Sequence, residues 1–237
     1  MAVVLGQAAP ASAASSQLRL SFQTDGAVGS RLGAGATIDD SSGRGNNGSV
    51  GSAYTGAVTL VANGGGTAAD FPGTCAGEPC PNALVNVADH PSLDPGTAAF
   101  EWGARIMLRQ NETDDGENII QKGVWGQAGG QWKLQVDKAA GRPSCVVSGT
   151  VPATGKDVRV VLTSPVGVAD GAWHQVTCRR TADGVAIVID GAVRASTSMA
   201  VVRLSSSANV TIGAKSVKPN DNDQFHGVLD DVFMSLL

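Results

Sequence analysis

Two loops of the sequence concentrate the side chains that could bind a hard metal ion. Residues 38–48 read IDDSSGRGNNG, and residues 111–118 read NETDDGEN. Calcium takes six to eight oxygen ligands from carboxylates, amide oxygens and backbone carbonyls, and glycine-rich loops can bend to present them. Both loops are therefore candidates for a calcium site. The alternatives are a long turn for the first loop and a solvated acidic hairpin loop for the second.

The four cysteines form two pairs that are well separated in the sequence. Cys75 and Cys80 lie in CAGEPC, whereas Cys145 and Cys178 lie in the strand-like runs CVV and VTC. One zinc ion bound by all four is the alternative, but the first spacing is loose and the second pair lies outside tight metal-binding turns. We predict two disulfides, Cys75–Cys80 and Cys145–Cys178, which indicate an oxidising compartment.

Trp125 is the aromatic residue that we expect to be exposed. It lies among Gly and Gln in KGVWGQAGGQ, whereas Trp102 and Trp132 are in phase with the apolar residues of their strands and are predicted to lie in the core. Carbohydrate sites stack sugar faces on exposed rings, with polar neighbours for the hydroxyls. Trp125 is thus the candidate ligand contact. The alternative is that its ring folds back to cover the core.

Short runs of alternating apolar and polar residues must position these loops. In FEWGARIML, Phe100, Trp102, Ala104, Ile106 and Leu108 share one face, as in a half-buried strand. The other predicted strands are LRLSF, NIIQKGV, QWKLQVD, SCVVSG, VRVVLTS, WHQVTCRR, VAIVIDG, NVTIGA and GVLDDVFMSLL. Many short strands separated by turns, in a chain with 31 glycines, predict an all-β fold in which antiparallel strands form a two-sheet sandwich.

Composition and the N-terminus narrow the class of protein. The chain has 237 residues and a net charge of −4, so nucleic acid is excluded as a partner, and no run is long enough to insert into a membrane. Ala11-Ser12-Ala13 has the small-x-small form of a signal peptidase site. We predict that residues 1–13 are a signal-peptide remnant or a disordered N-terminus. Residues 14–237 are predicted to form a single domain of a secreted, extracellular protein.

An ordered series of motifs resembles a known family. The chain from about Leu18 is similar to the laminin-G-like (LamG-like) jelly-roll proteins of the concanavalin A-like lectin/glucanase superfamily, of the type that actinobacteria export. The motifs, in order, are DDSSGRGNNGSV, AADFPG, PSLDPGTAAFEWGARI, IIQKG, DGAWHQVTC, VAIVIDGAV, VTIGA and FHGVLDDVFM. The resemblance implies a jelly roll, but this fold carries lectins, adhesion modules, glycosidases and lyases, so it does not fix the function.

The resemblance also implies a position for calcium. Relatives often hold a structural calcium where an early loop meets the closing strand, which points to Asp40, Asn46 and Asp230. Asp230 is in phase with the apolar residues Val232 and Met234 of its strand, so we expect a buried carboxylate that needs a partner. The alternative is that Asp230 accepts hydrogen bonds from backbone amides or from an arginine.

Enzymes on this fold carry recognisable carboxylate patterns that the sequence lacks. Laminarinase-type hydrolases place their acids in Glu-x-Asp-x-x-Glu on one strand, and no such triplet occurs here. We therefore predict no catalytic residue and a recognition module that binds a polysaccharide or glycoconjugate. The alternatives are an adhesion module for extracellular proteins and a divergent polysaccharide hydrolase or lyase. Two carboxylates in a groove, one with a raised pKa, would favour the enzyme.

Overall fold

The computed structural model describes residues 14–219 and 222–237, in which the chain is built from strands and turns. Residues 1–13, which are predicted to be a signal-peptide remnant or a disordered N-terminus, lie outside the described residues. Within the described ranges, the helical elements are two 3₁₀ turns, Pro91–Leu93 and Gln110–Glu112. No helix among them is long and apolar enough to span a bilayer.

The strands are β1 (Ser15–Leu20), β2 (Arg31–Leu32), β3 (Thr37–Ile38), β4 (Gly48–Ala53), β5 (Val58–Asn63), β6 (Gly66–Asp70), β7 (Asn82–Val87), β8 (Phe100–Arg109), β9 (Glu117–Lys122), β10 (Gln131–Asp137), β11 (Arg142–Thr150), β12 (Asp157–Thr163), β13 (Asp170–Arg180), β14 (Val185–Ile189), β15 (Ala192–Thr197), β16 (Val210–Ile212) and β17 (Val228–Leu236).

These strands form two antiparallel sheets, as the sequence predicts. Sheet A has nine strands in the order β15-β14-β13-β8-β17-β6-β5-β2, and β1 also pairs with β17. Sheet B has eight strands in the order β12-β11-β10-β9-β16-β7-β4-β3. The two sheets enclose one hydrophobic core, so the predicted two-layer jelly-roll sandwich is confirmed.

Alternation along β8 fills the space between the sheets. The side chains of Phe100 and Trp102 are fully buried, whereas Glu101 between them is partly exposed. The rings of Phe100 and Trp102 stack with their centroids 4.6 Å apart, and the ring of Trp132 in sheet B lies 5.9 Å from that of Trp102. Such aromatic pairs contribute about 0.5–1.5 kcal/mol each beyond their buried area. The prediction that Trp102 and Trp132 lie in the core is confirmed.

Both predicted disulfides are present. Cys145 in β11 bonds to Cys178 in β13, with their Cα atoms 5.7 Å apart, so this bridge joins sheet B to sheet A through the core. Cys75 bonds to Cys80 in the loop between β6 and β7. The long bridge spans 33 residues, and a loop of that size gives about 3–4 kcal/mol of stabilisation when chain entropy dominates.

A bulge in β17 changes the direction of the Asp230 side chain. Asp230 pairs with Arg105 and Phe233 pairs with Gly103, so two residues of β17 lie opposite one residue of β8. Asp231, inside the bulge, has a φ of +46°. Directly paired residues share a face, so Asp230 lies with Arg105 on the outer face of sheet A. The predicted direction of Asp230, toward the apolar face, is wrong because the extra residue reverses the alternation.

Candidate functional site

A glycine-rich loop between β9 and β10, residues 123–130, carries Trp125. Gly129 has a φ of +88°, and a Cβ atom there would lie 2.3 Å from the carbonyl oxygen of Ser205. A Cβ atom on Gly130 would lie 2.5 Å from the carbonyl oxygen of Ser148. Only glycine permits so close an approach, so the end of the loop packs against Ser148 of β11 and against Ser205, which lies between β15 and β16. Residues 124–127, at the start of the loop, are exposed.

Trp125 lies in this segment, and its side chain is 52% exposed. The amide N–H of Gln127 donates to the carbonyl of Val124 at 3.1 Å, which closes a turn around the tryptophan. The predicted exposure of Trp125 is therefore confirmed, whereas its role as a ligand contact stays a prediction.

The ring borders a surface cleft of about 360 Å³, which we call the Trp125 cleft. Its walls are the loop 126–130 and residues 148–150 of β11, together with Asp157 of β12. The hydroxyl of Thr150 donates to the carboxylate of Asp157 at 2.7 Å, which fixes both polar groups across the hairpin. The cleft therefore combines one apolar ring with hydroxyl, carboxylate and backbone hydrogen-bonding groups.

Arg159 fixes the orientation of the ring. Its guanidinium carbon lies 4.6 Å from the centroid of the Trp125 ring. An exposed cation–π contact of this kind contributes about 0.5–1 kcal/mol. Because the guanidinium covers one face of the indole, a stacking ligand would have to use the other face. A planar ring can stack on the C–H face of a sugar, while the polar walls take its hydroxyls.

The family is shown by the sequence itself. A family model described as the concanavalin A-like lectin/glucanases superfamily matches residues 82–234, from β7 into β17. The chain belongs to this superfamily. The matched region includes every strand next to the Trp125 cleft, so the candidate site lies within it. No curated protein sequence matches the chain significantly.

Solved structures with the same fold share little sequence with this concanavalin A-like chain. The binding domain of Paraclostridial Mosquitocidal Protein 1 has a TM-score of 0.64 at 14% identity, over 94% of this chain and 49% of that one. Domain 4 of AbnA, a GH43 extracellular arabinanase from Geobacillus stearothermophilus solved with arabinotriose, has a TM-score of 0.60 at 14% identity, over 94% and 93%. The binding domain of botulinum neurotoxin DC, solved with rat synaptotagmin II, has a TM-score of 0.58 at 17% identity, over 93% and 48%. The chain thus spans about half the length of the toxin binding domains, and these likenesses show the fold alone.

Asp40 and Asn46, which the family resemblance suggests as calcium ligands, lie in one hydrogen-bonded loop. The carboxylate of Asp40 accepts hydrogen bonds from the backbone N–H groups of Arg19, Ser42 and Asn46, each at 2.9 Å. It also accepts one from the hydroxyl of Ser42 at 2.7 Å. The side-chain amide of Asn46 donates to the carbonyl of Gln17 at 2.7 Å. Calcium at these residues stays a prediction, and an ion there would have to displace some of these bonds.

Asp230 is held by hydrogen bonds and an arginine, which is the predicted alternative to a metal ion. Its carboxylate accepts hydrogen bonds from the side-chain amide of Asn63 at 2.6 Å, the backbone N–H of Asp231 at 2.8 Å and the guanidinium of Arg105 at 3.5 Å. The side chain is 3% exposed, and burial raises its pKa. In the part of the chain that the structure describes, no three His, Cys, Asp or Glu side chains are arranged to hold a metal ion.

Asp70 is a candidate functional residue that the sequence analysis missed. It pairs with Val228, so it lies on the same outer face of sheet A as Asp230, on the neighbouring strand. A cavity of about 450 Å³ opens beside it, walled in part by the loop that carries Cys75. Burial, together with the charge of Glu112, raises the pKa of Asp70 to about 6. A carboxylate with this pKa can exchange a proton near neutral pH.

Glu117 is the second residue whose role the sequence analysis missed. The segment 111–118 is predicted to be a hairpin loop, but Glu117 is the first residue of β9 and is 1% exposed. Burial, reinforced by the negative charges of Asp114, Glu112 and Asp137, raises the pKa of its carboxyl to about 9. The acidic segment therefore includes a residue of the sandwich interior as well as a solvated turn.

Proposed function

We propose that this chain is a secreted, non-catalytic recognition module whose Trp125 cleft binds a glycan or a cell-surface polymer. The observation that carries the proposal is the half-exposed Trp125, whose ring contacts Arg159 and borders a cleft with polar walls. An exposed aromatic ring costs free energy in water, and a bound sugar recovers that cost by covering it.

Two further observations support this proposal. One neighbour of the fold is an arabinanase domain that was solved with arabinotriose, and another structure concerns two ganglioside molecules and botulinum neurotoxin type C. Two disulfides are typical of proteins that fold in an oxidising, extracellular environment.

A glycan array followed by titration of the strongest probe tests the proposal. Arabinotriose, β-glucan oligosaccharides and sialylated gangliosides are the first probes. We expect Trp125→Ala to weaken binding by at least about tenfold, which corresponds to about 1.4 kcal/mol, because the stacking surface is removed. Isothermal titration calorimetry measures the change.

Tyr54→Ala is the matched control, since Tyr54 is 40% exposed and lies outside the Trp125 cleft. This variant should bind as the unaltered protein does. Equal losses in both variants, or no binding to any probe, would contradict the proposal and favour the alternative of an adhesion module for extracellular proteins.

A second candidate function is polysaccharide cleavage on the outer face of sheet A. Asp70 lines a cavity there, and Asp230 lies on the neighbouring strand; burial raises the pKa of both carboxyl groups. Glycoside hydrolases use two such carboxylates, one as the acid and one as the base or nucleophile.

The test is release of reducing ends from arabinan and β-glucan. If the face is catalytic, Asp70→Asn should lower the rate by about 100-fold or more, whereas Asp115→Asn, an exposed acid in a turn, should not. No release by the unaltered protein rules this candidate out and leaves the recognition module.

A further inference from the structure

Glu117 places a carboxylate inside the sandwich. It pairs with Val136, whose side chain is fully buried in the core, so both side chains point between the sheets. The residue lies where β9 begins, at the end of the sandwich that carries the loop 110–116. With 1% of its surface exposed, Glu117 has almost no contact with bulk water.

The hydrogen bonds of Glu117 are incomplete. Its Oε1 atom accepts from the backbone N–H of Asp114 at 3.0 Å. Its Oε2 atom is buried and has no hydrogen-bond partner among the described residues. Arg109, the cation at the end of the neighbouring strand β8, is paired with Glu112 at 2.9 Å. A buried carboxylate oxygen without a partner loses its hydration and gains nothing in return.

The groups around Glu117 add negative charge. Asp114, Glu112 and Asp137 all act on it electrostatically. Asp137 is fixed beside the loop, because its carboxylate accepts from the backbone N–H of Gly116 at 3.1 Å and from the hydroxyl of Ser144 at 2.6 Å. The surroundings of Glu117 thus combine a hydrogen-bonded loop, three neighbouring acids and one buried oxygen without a partner.

We propose that this cluster, the Glu117 site, binds a divalent cation, with Glu117 Oε2 as its buried ligand. Calcium is the ion that the chemistry favours, because its ligands are oxygens and its geometry is flexible. Three carboxylates do not converge in the described residues. The ion therefore takes the side chain of Asp114, carbonyl oxygens of the loop 113–116 and water as its other ligands.

The test uses the whole chain after treatment with EDTA. Calcium chloride and, separately, magnesium chloride are titrated while binding heat and the melting temperature are measured. We expect calcium to bind with a Kd of about 10⁻³ M or tighter, as in extracellular modules, and to raise the melting temperature, because an ion that binds the folded state stabilises it. Magnesium should bind more weakly.

Two variants assign the position of the ion. Glu117→Gln keeps the shape of the side chain and should abolish the shift in melting temperature, and Asp114→Asn should weaken binding several-fold. Asp40→Asn, at the other predicted calcium loop, should bind calcium with the same affinity and show the same calcium-induced shift in melting temperature. The proposal is overturned if the unaltered protein binds neither ion, if Glu117→Gln binds as before, or if Asp40→Asn is the variant that abolishes binding. Circular dichroism confirms that each variant is folded.

Discussion

The two ends of strand β9 treat a buried ionisable side chain in opposite ways. At the C-terminal end, Lys122 is 1% exposed and its ammonium group is surrounded by acceptors. It forms ion pairs with Asp89 and, at 3.1 Å, with Asp94. It also donates to the carbonyls of Ser206 at 2.6 Å and Ala208 at 3.1 Å. The hydrogen bonds of Lys122 are therefore complete, because each hydrogen of its ammonium group has an acceptor.

Arg180 closes the same end. Its guanidinium donates to the carbonyls of Gly96 at 3.2 Å and Ala98 at 2.7 Å, and it lies 5.1 Å from the centroid of the Phe100 ring. Lys122 and Arg180 therefore hold the same connecting segment, residues 94–98, against the sandwich. The protein supplies its own cations there, and their positive charge satisfies carbonyl groups that the loops leave unpaired.

At the N-terminal end, Glu117 is as deeply buried as Lys122 but keeps one oxygen without a partner. Its neighbours are acids, and the nearby Arg109 is paired with Glu112. Burial alone therefore does not tell whether an ionisable side chain has all its hydrogen-bond partners. Lys122 has them and supports the architecture, whereas Glu117 lacks one and is the group to which we assign a ligand.

The largest expected effect comes from replacing Lys122 by Gln. Lys122→Gln should lower the free energy of unfolding by about 3 kcal/mol, because it leaves Asp89, Asp94 and two carbonyls without their shared cation. Urea unfolding monitored by tryptophan fluorescence measures the loss.

Glu117→Gln is the matched variant, because it also introduces a glutamine, at the opposite end of β9. In buffer with EDTA it should change the free energy of unfolding by less than about 1 kcal/mol, since the amide oxygen can still accept from Asp114. If the two variants lose equal stability, the two ends of β9 are energetically alike and the comparison fails.

A smaller effect is expected at Asp70, which lies near Glu112 and Arg109 at the acidic end. Its folded pKa is raised to about 6 from an ordinary value of 3.8. The folded protein therefore binds a proton more tightly than the unfolded chain, and stability falls as the pH rises from about 4 to about 6. Asp70→Asn removes this dependence.

Thermal melts at pH 4 and pH 7.5 check that prediction. The Asp70→Asn variant should melt at a higher temperature than the unaltered protein at pH 7.5 and at a similar temperature at pH 4. If the two proteins differ in melting temperature by the same amount at pH 4 and at pH 7.5, the ionisation of Asp70 does not cause the difference.

Much of the fold could be predicted because alternation is a local property. The period-two pattern of FEWGARIML predicts β8, and the runs around Cys145 and Cys178 predict two strands that a disulfide joins. The exposure of Trp125 also follows from its glycine-rich neighbours. Strands β4 and β6 escaped prediction, since their runs of Gly, Ser, Ala and Thr carry a weak apolar signal. Strands β5 and β7 were also not predicted, although they contain Val and Leu.

The candidate sites were less predictable because they depend on residues that meet only in the folded chain. Nothing in GVLDD indicates the bulge that turns Asp230 outward, since a bulge depends on the register with β8. Nothing in NETDDGEN separates Glu117, which enters a strand, from the acids that stay in the turn.

The sequence by itself determined the sandwich, its two disulfides and the exposed tryptophan, because hydrophobic period, cysteine spacing and glycine content act over a few residues. The tertiary structure alone decided which carboxylates are buried, which of them share a face and which have partners. Those properties depend on strand register and on contacts between distant segments. Desolvation, which sets the behaviour of Asp70 and Glu117, exists only after the two sheets have packed.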